Sequence, residues 1–266
     1  MMSPQLLFWY GLALKMAMTA TIVVAASVAV ERSGPFIGAL IAALPTAAGA
    51  AYIILAFEHS PAFIAASAVG SAAANAAVAV FALGYAVLAQ RHGIVLSITA
   101  ATLIWLAAAA GLRLVDWTPA SALALNAAVF AVTVPASARY RRAVLPRNAV
   151  SRTRYDIPLR ALTAALVVAV VTTASHAIGS FLSGVFAVFP IVMASSVVIL
   201  HPRVGGKAAA ALFAHAQPML IGLGLGFLAM HYLVAPVGVW LAYAGGLAVA
   251  MAWSGVLWVI RLQRFS

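Results

Sequence analysis

Cysteine is missing from the chain altogether. Its absence removes disulfide frameworks, thiolate metal sites and thiol nucleophiles together, and with them redox chemistry on the protein itself. Charge is nearly as scarce. Charged residues make up 7% and only four of the 266 residues are acidic, against about 25% charged in an ordinary soluble domain. That is too little polar side chain to clothe a globule in water. No acidic residue falls where a bilayer centre is expected, which argues against a sodium site built from carboxylates, although backbone carbonyls could serve. The sequence also lacks H-E-x-x-H, G-x-S-x-G and Walker-type G-x-x-x-x-G-K-[ST] signatures. Its six histidines are scattered without metal-ligand spacing. The expectation is therefore no enzyme, no catalytic residue, no metal and no cofactor.

What fills the chain instead is hydrocarbon. Apolar residues reach 66%, with a mean hydropathy of +1.12, so the lipid bilayer is the expected solvent and first partner. The net charge of +11 would suggest nucleic acid in a soluble chain. Here the basic residues concentrate in one segment between hydrophobic stretches, so orientation in a membrane explains them and no nucleic-acid partner is expected. The stretch from Leu6 to Val30 is read as a first spanning helix and not as a secretory signal, because Met1 to Tyr10 carries no basic residue and Lys15 sits inside the apolar run.

A spanning helix needs about 20 mostly apolar residues. Cutting the chain at polar and turn clusters predicts nine, over 8–31, 35–57, 61–89, 93–112, 118–138, 158–178, 180–201, 206–232 and 235–261. The fold class is thus all-α, a polytopic transmembrane bundle. Arg139, Arg141, Arg142, Arg147, Arg152, Arg154 and Arg160 crowd the connection between the fifth and sixth spans. Lys/Arg excess marks the cytoplasmic side, which puts the N-terminus outside and the C-terminus inside, as in a multi-pass protein of a cell (inner) membrane. Of the fifteen basic residues only Arg113 and Lys15 then fall on the far side.

The chain matches itself at one offset, 190 − 45 = 145. Lys15, Gly34, Phe36 and Pro45 align with Arg160, Gly179, Phe181 and Pro190. Five predicted crossings separate the copies, an odd number, so the second is flipped relative to the first. The expected organisation is a first half at 1–138, a basic cytoplasmic loop at 139–157 and a second, inverted half at 158–266, with five and four spans. Inverted repeats recur in secondary transporters, where two halves alternate access to a site between them.

Pro45 and Pro190 are expected near the middle of the second and seventh spans. A proline there removes a helical hydrogen bond and frees carbonyls, and paired interruptions in two halves point to a transporter's site. Thr46 and Gly49 follow the first proline, and Ser195 and Ser196 the second. Asn75, His215 and Gln217 are further polar residues at predicted membrane depth, where helix-to-helix hydrogen bonding is the simpler role. Glu31, His176 and His215 are the proton-coupling candidates, with an interfacial salt link of Glu31 to Arg32 or Lys207 as the plainer alternative. Lys15 and Arg160 near helix ends are expected to snorkel. Gly34-x-x-x-Gly38 and Gly179-x-x-x-Ser183 read as helix-packing pairs.

A basic residue opening the first helix of each half (Lys15, Arg160), then a glycine, then Leu44-Pro45-Thr46 or Phe189-Pro190, resembles the GlpM-like group of small bacterial inner-membrane proteins. The second copy has Ile191 in place of the threonine. The resemblance implies membrane placement and no defined activity. The inverted architecture is similar to that of bile-acid symporters. The sequence points first to a secondary transporter or permease for a small-molecule substrate, an organic anion coupled to protons, with homo-oligomerisation open. The alternative is a non-transporting anchor or assembly subunit working through the basic loop. A lipid-modifying enzyme ranks third, for want of an acid or base pair at one depth.

Overall fold

The computed structural model describes residues 4–32, 46–142 and 156–263. All regular structure among them is helical: α1 (Pro4–Arg32), α2 (Thr46–Glu58), α3 (Pro61–Leu88), α4 (Ile94–Leu112), α5 (Pro119–Ala138) continued by a 3₁₀ turn at Arg139–Arg142, α6 (Asp156–Ala187), α7 (Ile191–Val204), α8 (Gly206–Val237) and α9 (Val239–Gln263). Six of these, α3, α4, α5, α6, α8 and α9, are long and apolar enough to cross a bilayer. This is the construction of a multi-pass membrane protein. Of the expected span at 35–57, residues 35–45 lie outside the described residues, as do 143–155 of the basic loop.

Local chemistry sets the helix starts. Ser60 caps α3 by accepting the Phe63 N–H, and Pro61 takes the first helical position, where its missing N–H costs nothing. Thr118 and Ser121 form a capping box at the start of α5, again with proline following the cap. Three later corners use one device. Gly179, Gly205 and Gly238 have φ of 79°, 80° and 81° with ψ of 174°, 159° and 167°, a region open essentially to glycine alone. At Gly179 no neighbour lies within 4 Å of where a Cβ would sit, so its role is conformational and not the close helix contact expected of it.

Helix α3 is the centre of the bundle and packs against α4, α5, α6 and α8. Its buried face is made of small residues, among them Ser67, Ala68, Gly70, Ser71, Ala72 and Asn75. Without a hydrophobic drive between helices in lipid, such faces associate through close packing and polar bonds. A Cβ on Gly70 would overlap the Phe181 carbonyl, and one on Gly184 would overlap the Ser67 carbonyl. Hydroxyls secure the same seam: Ser67 donates to Ser180 O at 2.9 Å and Ser71 to Gly184 O at 2.7 Å.

Along α8, α3 runs antiparallel. His231 Nδ1 donates to Ala65 O at 2.8 Å, Asn75 Nδ2 to Leu220 O at 2.8 Å and Gln217 Nε2 to Ala79 O at 2.7 Å. Gly206 lies against the Ala89 carbonyl. Contacts thus advance along one helix as they retreat along the other.

Pro218 interrupts α8 and deprives the Ala214 carbonyl of its helical donor. Arg141 answers it: from the 3₁₀ turn its Nε donates to Ala214 O at 3.0 Å, and its Nη2 reaches Val134 O at 3.3 Å. One arginine of the basic segment is therefore a structural donor. Arg141→Met is expected to cost about 1.5–3 kcal/mol, the range for a hydrogen bond from a charged group. In a Pro218→Ala background, where residue 218 regains its N–H, the same change should cost much less. Unfolding of the four variants in detergent measures the cycle, and equal costs in both backgrounds would refute the pairing.

Candidate functional site

The span expected at 180–201 is broken. Residues 180–187 complete α6, the helix stops at Ala187, and Pro190 (φ −76°, ψ 47°) immediately precedes the restart at Ile191. Proline here sits before a helix and not in the middle of one, because its fixed φ suits a helix start while its ring blocks the preceding turn. Phe186 and Phe189 pack around the buried Trp105 of α4, with ring centroids at 5.9 and 4.9 Å. The Trp105 indole N–H has no acceptor.

Helix α2 is described from Thr46, which is the repeat equivalent of Ile191, where α7 begins, since 191 − 46 = 145. Pro45 and the Thr46 side chain lie outside the described residues. Near the start of α2, Ala47 is buried in a small apolar cluster with Val23, Ala161 and Ala164, against which Ala20, Ile191 and Val192 pack. Ala47 of α2 and the first residues of α7 therefore share one apolar cluster with α1 and α6. First-turn N–H groups lack helical partners and carry the positive end of the helix dipole.

The expected site residues divide between places. Pro190, Ser195 and Ser196 are buried at the break, but both hydroxyls donate back to Val192 O, at 3.1 and 2.6 Å. Gly49 faces α9, where a Cβ would come 2.6 Å from the Tyr243 hydroxyl, beside a cavity of about 20 Å³ lined by Tyr52, Phe227 and Met230. Asn75 and Gln217 belong to the α3–α8 seam. Asn75 Nδ2 also donates to Asn126 Oδ1 at 2.9 Å, and Asn126 Nδ2 donates to Ala72 O and Ala122 O at 2.7 and 2.8 Å. Asn75 Oδ1 and Gln217 Oε1 are buried without a donor. A mostly apolar groove of about 450 Å³ between α5 and α8 reaches Asn126 and Gly224. His215 is exposed on α8, on a different face from fully buried Gln217. The Glu31 side chain lies outside the described residues.

His176 is drawn into a group that the sequence did not announce. Its ring lies 4.4 Å from that of His59, which stacks on Phe63 at 3.7 Å and 7°. Glu58, the neighbour of His59, is held by Lys15 at 2.7 Å. Lys15, expected to snorkel, instead ties α1 to the end of α2. Burial pushes His59 below the ordinary histidine value, His176 adds to this, Glu58 opposes it and Lys15 lowers it further. Sequence alone singles out His176 as a titratable candidate, whereas Glu58 and His59 stand at a polar boundary between two apolar runs.

Comparison with protein-family models, with curated proteins and with solved structures yields no significant match to this chain. Geometry alone carries the functional reading.

The asparagine pair gives a direct check on the buried seam. Replacing Asn75 and Asn126 singly and together by alanine should reveal a coupling of about 0.6–1.7 kcal/mol, the span measured for hydrogen bonds between membrane helices. Strict additivity in the unfolding free energies would mean that the bond contributes nothing.

Proposed function

We propose that this chain is a secondary transporter or permease for a small solute, built from two inverted halves that cross the membrane nine times in all. The observation that carries the proposal is the apolar cluster in which Ala47 of α2 and the start of α7 pack with α1 and α6, Thr46 and Ile191 being repeat equivalents. Discontinuous helices whose N-termini converge favour an anionic group through unpaired N–H donors and the dipole. An organic anion is accordingly the substrate class, and protons are the coupling ion.

Inversion draws support from the central seam. Asn75 and Leu220 are themselves equivalents, 220 − 75 = 145, and they bond to each other at 2.8 Å. An antiparallel pair that meets at its own equivalent residues is what a two-fold axis in the membrane plane would generate. Helices α3 and α8 also begin in register, since 206 − 61 = 145. The basic residues Arg91, Arg141, Arg203 and Lys207 fall at the end where Tyr85 bonds His201 at 2.8 Å and Gly206 meets Ala89; the proposal assigns that end to the cytoplasm.

The absence of native cysteine makes topology easy to test. Ala62 and Lys207 are exposed and equivalent, 207 − 62 = 145. Single Ala62→Cys and Lys207→Cys variants should react with a membrane-impermeant maleimide from opposite sides, Ala62→Cys from outside. Labelling of both from one side would end the inverted reading.

Transport itself is tested with proteoliposomes containing only this chain. A panel of organic anions should show flux driven by a proton gradient. Pro190→Ala, which lets the helix run across the break, should reduce that flux at least tenfold while the protein still folds. A chain that moves no solute would return the interpretation to an anchoring or assembly subunit.

A further inference from the structure

We propose that Glu58, His59 and His176 form a binding site for a divalent transition-metal ion of the zinc class. The three residues come from separate elements: the end of α2, the turn into α3, and α6 just before its Gly179 corner. One ligand atom from each lies within 4.8 Å of the other two. Two imidazoles and one carboxylate make a donor set that suits zinc and its neighbours and leaves further positions for water. Metal–nitrogen and metal–oxygen bonds of about 2.0–2.2 Å require the side chains to draw inward by a fraction of that spacing.

Two features prepare the site. Ser175 Oγ donates its one proton to Thr172 O at 2.7 Å, so the 2.8 Å contact between Ser175 Oγ and His59 Nε2 must be donated by the histidine. A neutral His59 then carries its lone pair on Nδ1, with the other ring nitrogen fixed by a neighbour, as metal-binding histidines usually are. Stacking on Phe63 holds the ring's plane. Glu58 and His176 are exposed, so an ion can enter from water. Lys15, 2.7 Å from the Glu58 carboxylate, is the resident cation that an incoming metal would displace.

The site needs no transport activity to exist, and its test is independent of one. The full-length chain, freed of tag and stripped with chelator in detergent, is titrated with Zn²⁺ while its unfolding temperature is followed, and with Co²⁺ while its visible spectrum is recorded. Expected are a saturable rise in Tm and ligand-field bands of a bound cobalt ion, both lost in His176→Ala and in Glu58→Gln. Both should persist in His92→Ala and His231→Ala. Ser175→Ala should weaken binding roughly 10–100-fold, the usual effect of removing a partner that orients a ligand, and Lys15→Met should strengthen it. His176 is exposed, so its alanine variant tests the site even if substitutions at His59 fail to fold. Unchanged Zn²⁺ and Co²⁺ responses in His176→Ala, or no response in the unaltered chain at millimolar metal, would overturn the proposal.

Discussion

The close approach of α3 to its neighbours is the constraint on which the rest of the molecule depends. Lipid tails are as apolar as leucine, so burying leucine between helices in a bilayer gains little. Helices must instead come near enough for dispersion contacts and polar bonds to act. Gly70 and Gly184 let α6 lie directly on the backbone of α3, and only then do the Ser67 and Ser71 hydroxyls reach carbonyls across the interface. Ser71 also accepts from the Tyr52 hydroxyl at 2.8 Å, so α2 joins through the same residue. Larger side chains at these positions would separate the helices and strand the polar groups together.

The same solvent imposes strict accounting on the backbone. An unpaired carbonyl in hydrocarbon is expensive, and each interruption calls for an answer. Arg141 supplies one to the carbonyl freed by Pro218, while the Trp253 indole N–H donates to Pro218 O at 2.8 Å. At the α6–α7 break, short bonds such as Ile191 N–H to Phe189 O at 2.7 Å fold the chain tightly around Pro190. Phe186, Phe189 and Trp105 pack over the break on that side.

Helix boundaries were legible where polar residues end an apolar run. The expected 61–89, 93–112 and 118–138 lie within a residue of α3, α4 and α5. Ser60-Pro61 and Thr118-Pro119 announce their helices by side chains that act locally, so no tertiary knowledge is needed. Pro190 is legible as an interruption, but the sequence alone does not say whether a proline bends a helix or stands at the start of a new one, as it does here. Lys15 and Glu58 lie far apart in sequence, and hydropathy says nothing of which helix faces meet. Ligand spacing in sequence shows ligands on one element, and His59 and His176 stand on two. The Ser195 and Ser196 hydroxyls illustrate the converse. Their position is legible in the sequence, yet a serine in a helix can satisfy itself on the turn behind it, so position alone does not make them donors toward a ligand.

Polar bonds at the two ends of the bundle add to those of the central seam and bear on what can move. At one end Lys15, Glu58, His59, Ser175 and His176 bind α1, α2, the start of α3 and α6 to one another. At the other, the Tyr85 hydroxyl engages His201 of α7, and Arg141 engages α8. Helix α7 is thus tied to α3 near its C-terminus, while its N-terminus rests in an apolar cluster against α1, α2 and α6. Directional bonds resist sliding more than apolar contacts do, because a displaced hydrogen bond leaves unsatisfied partners and a displaced methyl meets another methyl. The described contacts at the junction of α2 and α7 are apolar, the kind that resist displacement least.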